Sequence, residues 1–493
     1  MNDSFFTRPG KESRKRKRGT REKPPRGLKG RKRKEKADDS SIDSDIADAN
    51  EDVDSLDGSD ELAIDETAAE RRLRLAKTYL DNVRGEILTH GFDAEDVDRE
   101  TIAQRLQEDV AEEKGRVYRF IAGRLDVEHP MHIKFAKQSS SVTAVAASFP
   151  YVYTCTKKGG LQKWDIRGPK PTKVLYAMAG KATDKAAQGH QGPILCAAAS
   201  SDGKFVVTGG QDGRIIVWNA ELTLLRVFRQ HRGPVLGLTI RRGTNQLYSC
   251  AADRTVKLWS LNELTYVETL FGHQDAIASI ASLAQERCLT CGSRDRTARL
   301  WKIIDETQLV FQSKPSKGAL YSEGSMDCVA MLDEQHFVTG SDNGNVSLWS
   351  LQKKKPLFTL PMAHGCDDAL PLDLHTAEQN GGDLSSPPVQ ARWVTSLVAL
   401  AYSNLFFSAS WNAGISVWEV HKDMKSFQQI ARIPIAKGVV NSMCVVEEGN
   451  PAQQGVALMV GIGRETRLGR WSVFRDGRST AELVKINIKP TSG

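Results

Sequence analysis

The stretch His190–Trp218, HQGPILCAAASSDGKFVVTGGQDGRIIVW, sets the frame for the whole chain. It opens on a His, reaches Asp212 after 22 residues and closes on a Trp six residues later. The same ruler returns at His231–Asp253–Trp259 and at His273–Asp295–Trp301, and successive Trp residues stand 41 and 42 apart. Between the marked positions lie short apolar runs, Lys204–Thr208 and Arg214–Trp218, separated by Gly-rich turns. A fixed period of this length describes one four-stranded sheet per repeat, set radially around a central channel.

Counting outward gives the ring. Repeat-ending Trp residues recur at Trp164, Trp218, Trp259, Trp301, Trp349, Trp418 and Trp471, which predicts seven blades, with insertions in the longer intervals. The period resembles that of WD40 repeats. Within a repeat the Asp lies in the turn before the last inner strand, placed to accept a hydrogen bond from the His. A hydroxyl four residues before the Asp continues the network at Thr208 and Ser249, and the same count gives Cys291 in the third repeat. A buried network of this kind rigidifies a blade when every member is satisfied. It decays around the ring: Asn343 and Asn412 replace the Asp with Thr339 and Ser408 still in place, and Lys158 and Glu465 occupy it in blades one and seven. Blade five also lacks the His, its equivalent region being Gly324–Cys328. His and Asp clusters invite a metal or catalytic interpretation, but their spacing repeats with the fold itself, so His190, Thr208, Asp212, Trp218, His231, Ser249, Asp253, Trp259, His273, Asp295 and Trp301 are assigned to structural tetrads.

Charge divides the remainder. Seven blades use about 350 of the 493 residues. Residues 1–36 carry 16 Lys+Arg against 4 Asp+Glu, and residues 37–70 carry 14 Asp+Glu with no Lys or Arg. Two opposed charge blocks with few apolar residues build no core, so 1–66 is expected to be a disordered tail. Its basic clusters, Arg14, Lys15, Arg16, Lys17, Arg18 and Arg31, Lys32, Arg33, Lys34, fit nuclear import or nucleic-acid contact better than a merely solubilising tail. Ser40, with Asp43 three residues on, is a weak acid-directed phosphorylation motif. Residues 67–124 are expected to be α-helical: Thr67 and Glu70 make a capping box, and Leu73, Ala76, Leu80, Val83 and Ile87 line one face. A second stripe is Ile102, Leu106 and Val110, and docking on the propeller or on a partner would cover both.

Other classes find little support. There is no apolar run long enough to span a bilayer, and the basic N-terminus is not followed by an apolar stretch. Eight Cys in 493 residues fit a reducing compartment rather than a disulfide scaffold. Cys288 and Cys291 form a C-x-x-C with no second pair, so no metal is expected. The chain has no G-x-x-x-x-G-K-[ST], H-E-x-x-H or G-x-S-x-G motif. A binding module without cofactor, rather than an enzyme, is the expectation.

Irregular segments narrow the family. Ala76–Leu80 (AKTYL), Arg294–Lys302 (RDRTARLWK) running into Gln308–Phe311 (QLVF), His336–Gly344 (HFVTGSDNG), Lys353–Phe358 (KKKPLF), Ala363–Gly365 (AHG) and above all Gly461–Trp471 (GIGRETRLGRW) resemble the WD40 components of the U3 small nucleolar ribonucleoprotein. Repeat-generic stretches such as Asp253–Trp259 (DRTVKLW) add little. The resemblance spans the helical region and the propeller. It implies an RNA-bound nucleolar scaffold acting in pre-ribosomal RNA processing. Its implied partners are the box B/C region of U3 small nucleolar RNA, a small kink-turn-binding protein and other small-subunit processome proteins. The insertion Cys366–Gln390, with its Pro, Gly and acidic residues, departs from the family pattern.

The repeat also orders the candidate contacts. The position before each blade Asp, on a turn at one rim, reads Lys157, Gln211, Ala252, Arg294, Asp342, Trp411 and Arg464. Lys157, Arg294 and Arg464, with Arg232 and Arg467 nearby, offer phosphate contacts, and Trp411 offers a stacking surface for an unpaired base. Arg470 is a further neighbour with a structural alternative. Ring closure is expected from His132–Lys137 (HIKFAK) or, in competition, from Leu483–Lys489 (LVKINIK). The resulting expectation is an all-β seven-bladed WD40 propeller over 125–493, insertion 366–390 included, preceded by the helical segment 67–124 and the tail. Its function would be that of a U3 RNA- and protein-binding scaffold. The alternative is a protein-only adaptor, a ubiquitin-ligase substrate receptor or chromatin adaptor, with a peptide pocket over the central channel.

Overall fold

The second and third strands of each repeat are near-continuous apolar runs because neighbouring blades cover both of their faces. In blade two, Phe205–Gly210 and Ile215–Asn219 are buried along almost their whole length, whereas the outermost strand Leu224–Phe228 is largely open to solvent. The pattern that marks a strand buried on two sides therefore recurs with the period of the repeat. The computed structural model describes residues 118–177, 189–313, 324–367, 390–446, 455–469 and 473–489. They form seven four-stranded antiparallel sheets. The first strands are Val142–Ser148, Ile194–Ala199, Val235–Ile240, Ile277–Ala281, Met326–Met331, Ser396–Ala399 and Val439–Val446, and each touches the next around the channel.

Side chains on or beside the first two strands of each blade sew blade to blade. Each of the following donates to a carbonyl of the next blade: Thr143 Oγ1 to Ile194, Cys196 Sγ to Val235 at 3.4 Å, and Cys250 Sγ to Ile277 at 3.8 Å. Cys328 Sγ reaches Val394 at 3.3 Å, Thr395 Oγ1 reaches Val440 at 2.7 Å, and Asn441 Nδ2 reaches Val142 at 2.8 Å. At the joint between blades four and five the Met326 amide donates to Ser293 at 3.1 Å instead. Small residues with one donor suit a close-packed joint, which accounts for cysteines here without redox or metal chemistry. Cys288 and Cys291 face opposite sides of their sheet, in separate apolar clusters, so they cannot share a ligand.

Closure uses both termini. The C-terminal strand Thr480–Asn487 is the third strand of blade seven, and Met131–Lys134 pairs outside it as the fourth, with Met131 opposite Lys485 and Lys134 opposite Glu482. The two segments are thus neighbours rather than competitors. His132 Nδ1 lies 2.8 Å from Oε1 of the buried Glu482 and pins the seam. At the joint to blade one, a Cβ on Gly461 would meet Val142 and Val145 side chains at 2.9 Å, so the closing contact requires glycine.

This arrangement corrects the seventh repeat. Blade six pairs Phe406 with Trp418, two residues before the strand's hydroxyl Ser408; the corresponding pair in blade seven is Leu458 with Val484. Val484, not Trp471, holds the position, because the connection from Gly463 to Thr480 is far longer than a repeat turn. Trp471 and Arg470 lie outside the described residues, as do the tail with its basic clusters and Ser40, residues 67–117, and most of the insertion. Of the expected helical segment, residues 118–124 hold only a 3₁₀ turn, Ala122–Arg124. Arg119 instead bridges to Ser403, and Asn404 Oδ1 accepts from the amides of Ile121 and Ala122 at 3.0 and 3.2 Å. Those blade-six partners satisfy the amides that a continuing helix would commit to its own carbonyls. The ends of the insertion meet in a Cys366–Ala391 bridge between blades five and six.

Candidate nucleic-acid interface

The tetrads fix the rim. In blades two, three and four the Trp indole donates to the hydroxyl of Thr208, Ser249 or Thr290 at 2.8–2.9 Å. The hydroxyl lies 2.8–2.9 Å from Nε2 of His190, His231 or His273. Nδ1 of each ring faces Asp212, Asp253 or Asp295 at 3.2, 2.8 and 2.6 Å. One direction satisfies every member: indole N–H to hydroxyl, hydroxyl to Nε2, Nδ1–H to carboxylate. Burial pushes the three carboxyls up, but the histidine hydrogen bonds and backbone amides outweigh it and hold them below the usual range.

Thr290, not Cys291, is the hydroxyl of the third tetrad. The turn before Asp295 carries one extra residue, so counting back four from the Asp lands on the neighbouring position. A fourth network stands in blade six: His364 Nε2 lies 2.9 Å from Ser408 Oγ, which accepts from Trp418 Nε1 at 2.7 Å. With its amide oxygen turned toward the ring, Asn412 accepts from His364 Nδ1 at 3.2 Å. His364 was hidden from the ruler by the insertion, which lengthens the distance from His to hydroxyl to 44 residues. Burial, then Arg432 and Arg392, lower its pKa to about 4, so this ring is neutral at pH 7.

Each tetrad Asp also accepts from the backbone N–H of the residue after the His, namely Gln191, Arg232 and Gln274, at 3.0, 3.0 and 3.3 Å. Arg232 is thereby fixed on the rim of blade three with its side chain exposed, and Arg294 is likewise exposed on blade four, its amide held by Asp275 at 3.2 Å. Arg254 and Arg296 stand beside them, one residue past the tetrad Asp rather than one before it. They follow the tetrad Asp at φ of 66° and 52°, where blades one, two and five use Gly159, Gly213 and Gly344. The sequence signal was the repeated D-R-T at 253–255 and 295–297. A non-glycine residue in this region costs about 1 kcal/mol, and such strain concentrates at functional sites.

Other predicted contacts have internal partners. Lys157 Nζ donates to the carbonyls of Thr466 and Gly469, both at 3.1 Å, and lies 3.3 Å from Glu465. Arg464 is exposed, with Nε on the Gly477 carbonyl at 2.9 Å. Arg467 turns inward, and its guanidinium donates to the carbonyls of Leu195, Leu236 and Ala278 at 3.5, 3.1 and 3.0 Å. Those carbonyls belong to bulge residues on the inner strands of blades two, three and four, so one side chain spans three blades at the channel mouth. Asp327, at the equivalent bulge of blade five, is pushed up to about 6 by burial, with Ser325 and Arg467 drawing it down and Asp342 raising it.

The connection that delivers Arg467 returns with Phe474, whose amide donates to Arg464 at 2.8 Å. Phe474 stands 6.3 Å from the half-buried Trp411, and Trp393 meets Trp411 edge-on at 6.0 Å. Trp411 Nε1 donates to Asp367 at 2.9 Å, so the indole is held in place. Exposed Lys437 and Arg475 line the same groove as Trp411 and Phe474.

A seven-bladed ring with hydroxyl–His–Asp–Trp tetrads and a channel mouth occupied by its own arginine defines a WD40 propeller, here with exposed arginines on the rim of blades three and four. The WD domain, G-beta repeat pattern matches residues 184–219, 222–260 and 264–302. Ribosomal RNA-processing protein 9 of Saccharomyces cerevisiae is 34% identical over 88% of this chain and 91% of its own length. U3 small nucleolar RNA-interacting protein 2 of Homo sapiens is 32% identical over 87% of this chain and 85% of its own. A solved chain titled "Structure of U3-55K" superposes with a TM-score of 0.61 at 33% identity, covering 72% of this chain and 98% of that one. The chain belongs to the family of U3 small nucleolar RNA-interacting WD40 proteins.

Proposed function

We propose that this chain is a non-enzymatic scaffold of the U3 small nucleolar ribonucleoprotein, acting in ribosomal RNA processing in the nucleolus. It holds U3 RNA at the box B/C region, beside a small kink-turn-binding protein and further small-subunit processome proteins. The names of its relatives support the RNA and the pathway. The observation that carries the reading on this molecule is the set of exposed arginines at turns of blades three and four: Arg232, Arg254 and Arg294, with Arg296 half-buried. Guanidinium groups on a rigid, curved rim suit the phosphate backbone of a folded RNA, and such binding is salt-dependent through released counterions. Arg467 over the channel mouth disfavours the protein-only adaptor, whose peptide would need that place.

The test is recovery of U3 RNA with the tagged full chain from cell extract across a salt series. Retention that falls with salt and is lost on ribonuclease treatment supports the proposal. Recovery of protein partners without U3 RNA, unchanged by ribonuclease, contradicts it.

A further inference from the structure

Between blades six and seven the rim opens into a groove of about 470 Å³. Its lining includes Trp411, Phe474, Val473, Lys437 and Arg475. One wall is the pair of rings 6.3 Å apart and 36° from parallel. Trp411 is held by its bond to Asp367 and its contact with Trp393, so the aromatic surface is pre-set rather than formed on binding. Gly438, also on the lining, has φ 149° and would bring a Cβ within 2.7 Å of the Gly463 carbonyl. The groove thus depends on a backbone that only glycine supplies.

We infer that this groove is a pocket for a single unpaired nucleobase, which stacks on Trp411 and Phe474 while Lys437 and Arg475 take its phosphates. The inference rests on RNA being the ligand of this rim. An aromatic wall beside two exposed cations matches one nucleotide, whose base is an aromatic plane and whose phosphate is an anion a few bonds away. Asp476, the acid on the lining, is exposed and outnumbered by the two cations. Asp367 is already committed to Trp411 and Arg392. Paired RNA would be rejected, because a base inside a duplex presents no free face. The groove therefore selects a bulged or looped nucleotide rather than reading sequence.

The full chain is titrated with single-stranded decamers of adenosine or uridine nucleotides, and with an abasic decamer of the same backbone. The base-bearing decamers bind about tenfold tighter than the abasic one, the size of one stacked base. Trp411→Ala and Phe474→Ala each remove that difference, and Phe474→Leu, which keeps apolar packing without a stacking face, removes it too. Lys437→Glu weakens both kinds of probe alike. Equal binding of base-bearing and abasic decamers by the unaltered chain overturns the pocket, as does a difference that survives Phe474→Leu in a protein of unchanged thermal midpoint. These outcomes are read without U3 RNA. Loss of U3 recovery with base discrimination intact would fell the proposed function and leave the groove standing.

Discussion

Arg467 Nη1 donates to the carbonyl of Leu236 at 3.1 Å, and the same guanidinium reaches a blade on either side. A side chain from blade seven thus fastens three inner strands across the channel. Hydrogen bonds to a charged group contribute more than neutral ones, and a planar fork serves several acceptors where an ammonium serves them poorly. Arg467→Ala is expected to cost roughly 2–4 kcal/mol by chemical denaturation, and Arg467→Lys to recover less than half of it. Full recovery by lysine would show that charge alone matters there.

The arginines at positive φ set stability against binding. Replacing Arg254 or Arg296 with glycine relieves a left-handed backbone, while glycine adds freedom to the unfolded chain. The net expectation is a gain of about 0.5 kcal/mol at each position. RNA affinity should fall several-fold, with a shallower dependence on salt. Calorimetry and filter binding on the same variants check both. A variant that loses stability and keeps its affinity would argue that these residues serve the turn and not the ligand.

His364 gives blade six a pH dependence of known sign. Its folded pKa of about 4 lies below the ordinary 6.5, so folding favours the neutral ring. Its contribution is complete above pH 6.5 and is lost as pH falls toward 4, by about 3 kcal/mol at most. Asp327, raised to about 6, works in the opposite direction over much of the same range, since its folded state favours the protonated acid. The informative quantity is therefore the stability difference between the unaltered chain and His364→Gln, in which Asp327 cancels. That difference should shrink from pH 7 to pH 4. A constant difference would mean that His364 does not titrate in this window.

The third tetrad shows where counting fails. Thr290→Ala leaves the Trp301 indole and His273 Nε2 without their shared hydroxyl and should cost about 2 kcal/mol, whereas Cys291→Ala removes only a small buried thiol and should cost about 1 kcal/mol. Guanidinium denaturation of the two variants checks the order, and a reversed order would return the network to Cys291.

The ring, its blade number and the first two tetrads were legible because their period is imposed by packing, which repeats in sequence as it does in space. What broke the period escaped. An extra turn residue moved the hydroxyl from Cys291 to Thr290, the insertion hid His364, and the long connection after Gly463 made Trp471 resemble a repeat-ending Trp while the strand itself came later, with Val484. Rim positions were read from the turn, but burial is decided by what folds over the turn. The segment after Arg464 covers Lys157 and carries Arg467 into the channel. Phe474 is brought to Trp411 only by that same segment, whereas Lys437 comes from the connection between Pro434 and Val439, and no local signal in the sequence announces their meeting.

The central claim is that the exposed arginines of blades three and four hold U3 RNA. Crosslinking of the tagged full chain in cells, followed by sequencing of the attached RNA, tests it most directly when the unaltered protein is compared with Arg232→Glu combined with Arg294→Glu. U3 is expected to be enriched at one internal region and to fall by at least tenfold in the double variant at equal protein abundance. Undiminished U3 crosslinks in that variant would contradict the rim, and the absence of U3 from the unaltered protein would contradict the function.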